Sequence, residues 1–163
     1  MKIYYAAYGS NLNKGQMSRR CPAATIHKAM RLPDYKLVFK GVADIIPSKG
    51  DSVQVMLWNI TEDCEKALDR YEGYPTLYRK QYWKLLKEGK DTGNLIMAYV
   101  MNGYDIGRPS KYYYDGIHEG YTDCGLDHRA LEKALQESLK ARTIGYTPKR
   151  NRIPSLARSA LIR

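Results

Sequence analysis

Tyr4-Tyr5-Ala6-Ala7-Tyr8-Gly9-Ser10-Asn11-Leu12 is an apolar, aromatic run that stops abruptly at Gly-Ser-Asn, and a short helical pattern follows it. This pattern predicts a buried strand delivering a tight turn. Gly9 suits the turn because it can take φ > 0 or let another group approach the backbone closely. Such a turn leaves backbone N–H groups converging on one spot, where they can hold an anion or a polarised carbonyl. The stretch therefore reads as one half of an active site, and the other half has to be a residue that moves protons.

The composition sets the surroundings. A chain of 163 residues with 44% hydrophobic and 27% charged residues fits a soluble globular domain able to bury its own core. Aromatic usage is skewed to 15 Tyr against one Phe, as suits walls that are half apolar and half polar. There is no 18-residue apolar run and no secretory signal at the N-terminus, so a cytoplasmic protein with no membrane contact is expected. Cys21, Cys64 and Cys124 lack C-x-x-C spacing, and His27, His118 and His128 lack metal-ligand spacing, so reduced thiols and no metal are expected. The net charge of +10 is concentrated late: after Glu137 there is no acid, while Lys140, Arg142, Lys149, Arg150, Arg152, Arg158 and Arg163 follow. The stretch reads as a solvated basic extension, 143–163, or as a weak polyanion contact.

Outward from the opening run, 11–20 reads as a short helix with Leu12 and Met17 turned inward, stopped by Pro22. Residues 24–41 read as extended, broken at Leu32-Pro33-Asp34. Residues 43–46 are expected to pair with 53–60 across the turn residues Pro47 to Asp51, and the apolar faces of 53–60 make it a central strand. Thr61 opens a helix with an inward stripe of Cys64, Ala67, Leu68 and Tyr71, ending at Gly73 with Pro75 beyond. Strands are expected at 78–87 and 94–101, joined by a loop at 88–93. The stretch 103–125, with five glycines and five tyrosines, reads as loop, and 127–142 as a last helix capped by Asp127.

Glu72 stands out because it lies at the C-terminal end of a helix, where the dipole disfavours a carboxylate. If buried there, its pKa rises; if exposed, it is an ordinary helix-end charge. A serine nucleophile is disfavoured, since Ser10 lacks G-x-S-x-G spacing, and neither a Walker A nor a G-x-G-x-x-G segment is present.

Three separated segments resemble the gamma-glutamylcyclotransferase family: Tyr8-Gly9-Ser10-Asn11-Leu12, Leu68-Asp69-Arg70-Tyr71-Glu72-Gly73 and Tyr78-Arg79, with Pro109-Ser110, Tyr112, Ile117, Gly120 and Gly125-Leu126 behind them. The resemblance spans 1–126 and implies an α/β (α+β) fold, a small mixed β-barrel with flanking helices, occupying 1–142. It also implies a cofactor-independent enzyme that converts a γ-glutamyl amine or γ-glutamyl amino acid to 5-oxoproline and the free amine. In that reading Glu72 moves the protons, while Tyr8, Gly9, Ser10, Asn11, Leu12, Tyr78 and Tyr112 bind substrate. Tyr78 and Tyr112 read equally as core aromatics, and Arg79 reads as a surface ion pair in preference to a carboxylate clamp. The alternative function is a non-catalytic pocket for a small anionic metabolite or signal. The oligomeric state is left open.

Overall fold

In the computed structural model, which describes residues 1–143, the opening run becomes β1 (Ile3–Ala7), with Tyr4 to Ala7 all buried. A strand buried on both faces belongs inside its sheet. β1 indeed pairs antiparallel with β3 (Ala43–Asn59) on one side and parallel with β5 (Lys90–Met101) on the other. With β2 (Thr25–Phe39) and β4 (Tyr78–Lys87) outside them, the five-stranded order is β2-β3-β1-β5-β4. Among the described residues four α-helices complete this α+β architecture: α1 (Lys14–Arg20), α2 (Glu62–Glu72), α3 (Lys111–Asp123) and α4 (Arg129–Thr143). Leu12, Met17, Leu57, Leu68, Ile117 and Leu131 are fully buried, one core shared by sheet and helices. Among the described residues no helix is long and apolar enough to cross a membrane. The basic extension lies outside the described residues.

Four expectations change. The sheet is curled but not closed, so the barrel is corrected to an open sheet. Its edge strands approach through side chains, with the Tyr35 ring edge-on to Trp83 at 5.4 Å between centroids, and no hydrogen-bonded ladder joins β2 to β4.

The predicted hairpin between 43–46 and 53–60 does not form. Both segments lie on β3 and pair with β2, Leu37 opposite Ile45 and Leu32 opposite Val53. The turn residues between them bulge out of the strand instead. Gly50, at φ 85, donates its N–H to Asp34 Oδ1 at 2.9 Å, and Ser48 Oγ donates to Asp51 Oδ2 at 2.5 Å. The residues 47–51 thus do turn the chain out of line, but against β2 and not against their own strand, because a bulge uses the same residues as a hairpin.

The loop expected at 88–93 shortens to Glu88-Gly89, both at positive φ (51 and 76), as the favoured two-residue hairpin turn requires.

The glycine-rich stretch is not all loop, since α3 runs through Gly116 and Gly120. A Cβ built on Gly120 would stand 2.6 Å from Asn13 N and 2.8 Å from Leu12 C. That glycine serves close packing of α3 on the turn, not flexibility. Asp127 Oδ1 does accept the N–H of Arg129 at the start of α4, at 3.0 Å.

Candidate active site

α2 places the carboxylate. Thr61 Oγ1 accepts the N–H of Cys64 at 3.2 Å, and Glu62, Asp63 and Glu65 occupy the first turn, where the helix dipole favours them. Cys64 and Leu68 anchor the inner face. Gly73, left-handed at φ 64 and ψ 37, ends the helix and returns its N–H to the Asp69 carbonyl. Glu72 is thereby the last helical residue, at the negative end of the dipole.

Burial lifts the Glu72 carboxyl to about 7, against the opposing pull of the Arg20 charge and a hydrogen bond from Asn11. Asp69, one turn earlier, also borders the cavity but is already engaged. Lys80 Nζ lies 2.8 Å from its Oδ1 and 2.5 Å from Glu65, and the Tyr99 hydroxyl donates to it at 2.5 Å. Among the described residues Glu72 has no such cation partner at contact distance, and its Oε1 accepts from the Asn11 amide.

Opposite stands the turn. Gly9 has φ −122 and ψ −133, so it is not left-handed. Its need is space, because a Cβ there would meet Ala43 Cβ at 3.1 Å. Ser10–Leu12 form a single 3₁₀ turn in which Leu12 N–H donates to the Gly9 carbonyl at 3.0 Å. The N–H groups of Ser10 and Asn11 are those that a helix start leaves unpaired. Asn13 then caps α1, accepting from Gln16 N–H at 3.0 Å. Asn11, 2% exposed, reaches from this turn to Glu72, with Nδ2 3.2 Å from Oε1 and 2.8 Å from the Tyr5 hydroxyl.

Between the two halves is a cavity of about 470 Å3 walled by tyrosines: Tyr5 and Tyr8 from β1, Tyr71 from α2, Tyr78 from β4, Tyr99 from β5 and Tyr113 from α3. Burial is the leading cause that holds every one of these hydroxyls above the ordinary tyrosine range. They stay neutral and serve as fixed polar groups. Tyr8 donates to the Tyr99 carbonyl, Tyr78 to the Ala43 carbonyl at 3.1 Å, and Tyr113 accepts the Ala43 N–H at 3.1 Å. Ala43 begins β3, so these bonds pin the far wall. Beside it, Asp44 is fully buried; one carboxylate oxygen accepts Met101 N–H at 3.0 Å, and the other meets Lys40 Nζ at 2.7 Å as an ion contact.

Of the residues singled out from sequence, Glu72, Tyr8, Gly9, Ser10, Asn11 and Tyr78 all border this one cavity. Leu12 does not border it and is fully buried in the core. Tyr112 is 71% exposed and faces away, and its neighbour Tyr113 takes the place expected of it. In a helix adjacent residues point about 100° apart, so reading this stretch as loop hid which tyrosine turns inward. Arg79 donates to the Met101 carbonyl at 2.8 Å, outside the cavity. Sequence reasoning also missed Arg20, Tyr5, Tyr71, Tyr99 and Tyr113. For Arg20 the spacing from Gln16, four residues on one helix face, was a usable signal. Among the described residues no group of three or more His, Cys, Asp or Glu is placed to hold a metal ion.

A family model described as gamma-glutamyl cyclotransferase, AIG2-like, matches residues 5–120. The chain is 33% identical over 151 residues to a Homo sapiens protein named gamma-glutamylcyclotransferase, covering 84% of this chain and 77% of that one. It is 32% identical over 143 residues to a Mus musculus protein of the same name, covering 79% and 75%. A solved structure described as gamma-glutamyl cyclotransferase superposes with a TM-score of 0.68 over 98% of both chains, at 26% identity.

Proposed function

The chain belongs to the gamma-glutamyl cyclotransferase, AIG2-like family, and on that premise we propose that it converts a γ-glutamyl amine or γ-glutamyl amino acid to 5-oxoproline and the free amine. The observation that carries this reading is a carboxyl with its pKa lifted to about 7 by burial, bordering the same cavity as the turn Gly9-Ser10-Asn11. The substrate's α-amino nitrogen attacks its own γ-carbonyl carbon, forming the ring C–N bond. Glu72, ionised, accepts the proton that this nitrogen loses and returns one to the departing nitrogen as the old C–N bond breaks. A pKa near the working pH suits both transfers. The N–H groups of Ser10 and Asn11 face the negative charge, either the substrate carboxylate or the oxyanion that develops. The reaction is intramolecular, so the tyrosine walls contribute by holding the bent conformer in which amine and carbonyl meet.

A screen of γ-glutamyl amines and γ-glutamyl amino acids, read by mass spectrometry for 5-oxoproline, tests the proposal. Release from at least one substrate, lost in Glu72→Gln at a melting temperature no lower than that of wild type, is the expected result. Turnover that survives Glu72→Gln would remove Glu72 from its role. Tight binding of such compounds without turnover would point to a binding protein.

A further inference from the structure

Arg20, half-buried at the end of α1, is tied to the site from three sides. Its Nη1 donates to Asn11 Oδ1 at 2.5 Å and to Ser10 Oγ at 3.1 Å, and its Nη2 to Gln16 Oε1 at 2.8 Å. Its guanidinium carbon stands 3.7 Å from the centre of the Tyr71 ring, next in sequence to Glu72. Ser10 Oγ and the Tyr71 hydroxyl are themselves 3.2 Å apart.

A guanidinium has donors and no acceptor. Only the oxygen of the Asn11 amide can therefore face it, and the NH2 group is turned the other way. There its two protons meet Tyr5 Oη and Glu72 Oε1. The reversed amide would set NH2 against the guanidinium and its carbonyl against the carboxylate, two repulsive contacts.

We propose that Arg20 is a positioning residue for the cyclisation: it locks the Asn11 amide in the orientation that keeps a donor on Glu72 Oε1, leaving Oε2 to exchange the proton. This rests on the proposed function. The stack on Tyr71 holds the helix end in register while Asn11 holds the carboxyl.

The other ionisable groups around Glu72 do not duplicate the effect. Tyr5 and Tyr8 on β1, Tyr71 on α2, Tyr78 on β4, Tyr99 on β5 and Tyr113 on α3 are neutral, with pKa values raised by burial. Asp44 on β3 is paired with Lys40, and Asp69 on α2 with Lys80. Arg20 is the charge that pulls the Glu72 carboxyl downward.

The test separates positioning from a purely structural tie between α1 and α2. Glu72 is followed by 13C NMR titration in the full chain, alongside kcat and KM, for wild type, Arg20→Met, Arg20→Lys and Asn11→Ala. Arg20→Met is expected to move the Glu72 midpoint up by about one unit. Arg20→Lys keeps the charge but loses the fork and the stack, so its midpoint stays near wild type. In both, kcat falls about tenfold or more while KM changes by less than about threefold. Adding Arg20→Met to Asn11→Ala is expected to lower kcat little further, because the two act as one unit.

An Arg20→Met variant that lowers only the melting temperature, with midpoint and kcat unchanged, overturns the proposal. So does full additivity with Asn11→Ala. If Arg20→Met does not fold, Arg20→Lys and Asn11→Ala decide by the same kcat-against-KM split. Should no γ-glutamyl compound be turned over by wild type, the proposed function fails by itself. The side-chain amide signals of Asn11, followed by NMR in wild type, Arg20→Met and Arg20→Lys, then decide on Arg20: amide protons whose shifts are unchanged in both variants overturn its action through Asn11.

Discussion

Gly120 lies flat beneath Asn13, so close that any Cβ at 120 would stand 2.6 Å from the Asn13 amide nitrogen. The neighbour is backbone and cannot swing aside, unlike the end of a flexible side chain. Gly120→Ala should therefore destabilise the protein by about 1–3 kcal/mol despite Ala's better helix propensity. Because the displaced backbone belongs to the Ser10–Leu12 turn, turnover should fall as well. Thermal denaturation with parallel kinetics checks both, and a variant as stable as wild type contradicts the close contact.

Glu72→Gln should lower kcat by about 10²–10⁴-fold, the usual contribution of a positioned acid–base group. Stability should move in the opposite direction. A carboxyl raised from 4.5 to about 7 on folding favours the native state below its unfolded pKa, and that advantage disappears as pH rises through 7. Relative to wild type, Glu72→Gln should thus gain stability between pH 5 and 8 on the order of 3 kcal/mol at most. The two unfolding curves should converge near pH 4, and a gain that persists there would falsify the assignment.

The pH profile of kcat/KM should climb about tenfold per pH unit below an inflection near 7, since the ionised form of Glu72 accepts the first proton. An inflection near 4.5 would mean that the carboxyl is not held in the desolvated state described.

Asp44→Ala should cost about 3–5 kcal/mol, because it strands Lys40 and frees the Met101 N–H inside the protein. Chemical denaturation measures this. A loss below about 1 kcal/mol would show the pair to be solvated.

Neighbouring tyrosines should behave oppositely. Tyr112→Ala should change stability by less than about 0.5 kcal/mol and leave turnover intact. Tyr113→Phe leaves the Ala43 N–H without its acceptor and should cost about 1–3 kcal/mol with reduced turnover. Side-by-side melting curves and rates distinguish the two.

What could be read in advance was what local chemistry controls. The strand ending at Ala7, the helix capped by Thr61 and Gly73, and Glu72 at its end depend on periodicity, caps and a left-handed glycine, all visible in neighbouring residues. Lost to the sequence was what depends on distant partners. The bulge at 48–51 and a hairpin there use the same residues, and only the partner β2 chooses between them. Gly120 looks like a loop glycine until Leu12 and Asn13 are placed against it. Arg20 looks like surface charge until Asn11 and Tyr71 fold over it.

The place of β1 in the middle of the sheet has a consequence for the order of assembly. Its antiparallel neighbour is complete once β3 has formed, but its parallel side waits for β5; Lys2 and Asn94, which meet beside that pairing, are 92 residues apart. Closing so long a loop is slow compared with forming local turns and helices. A chain emerging from the ribosome therefore carries the turn at Gly9 to Leu12 early, on a strand with one raw edge. The cavity beside it is complete only after the later strand seals that edge, and interruption of synthesis between them leaves an aggregation-prone half-sheet.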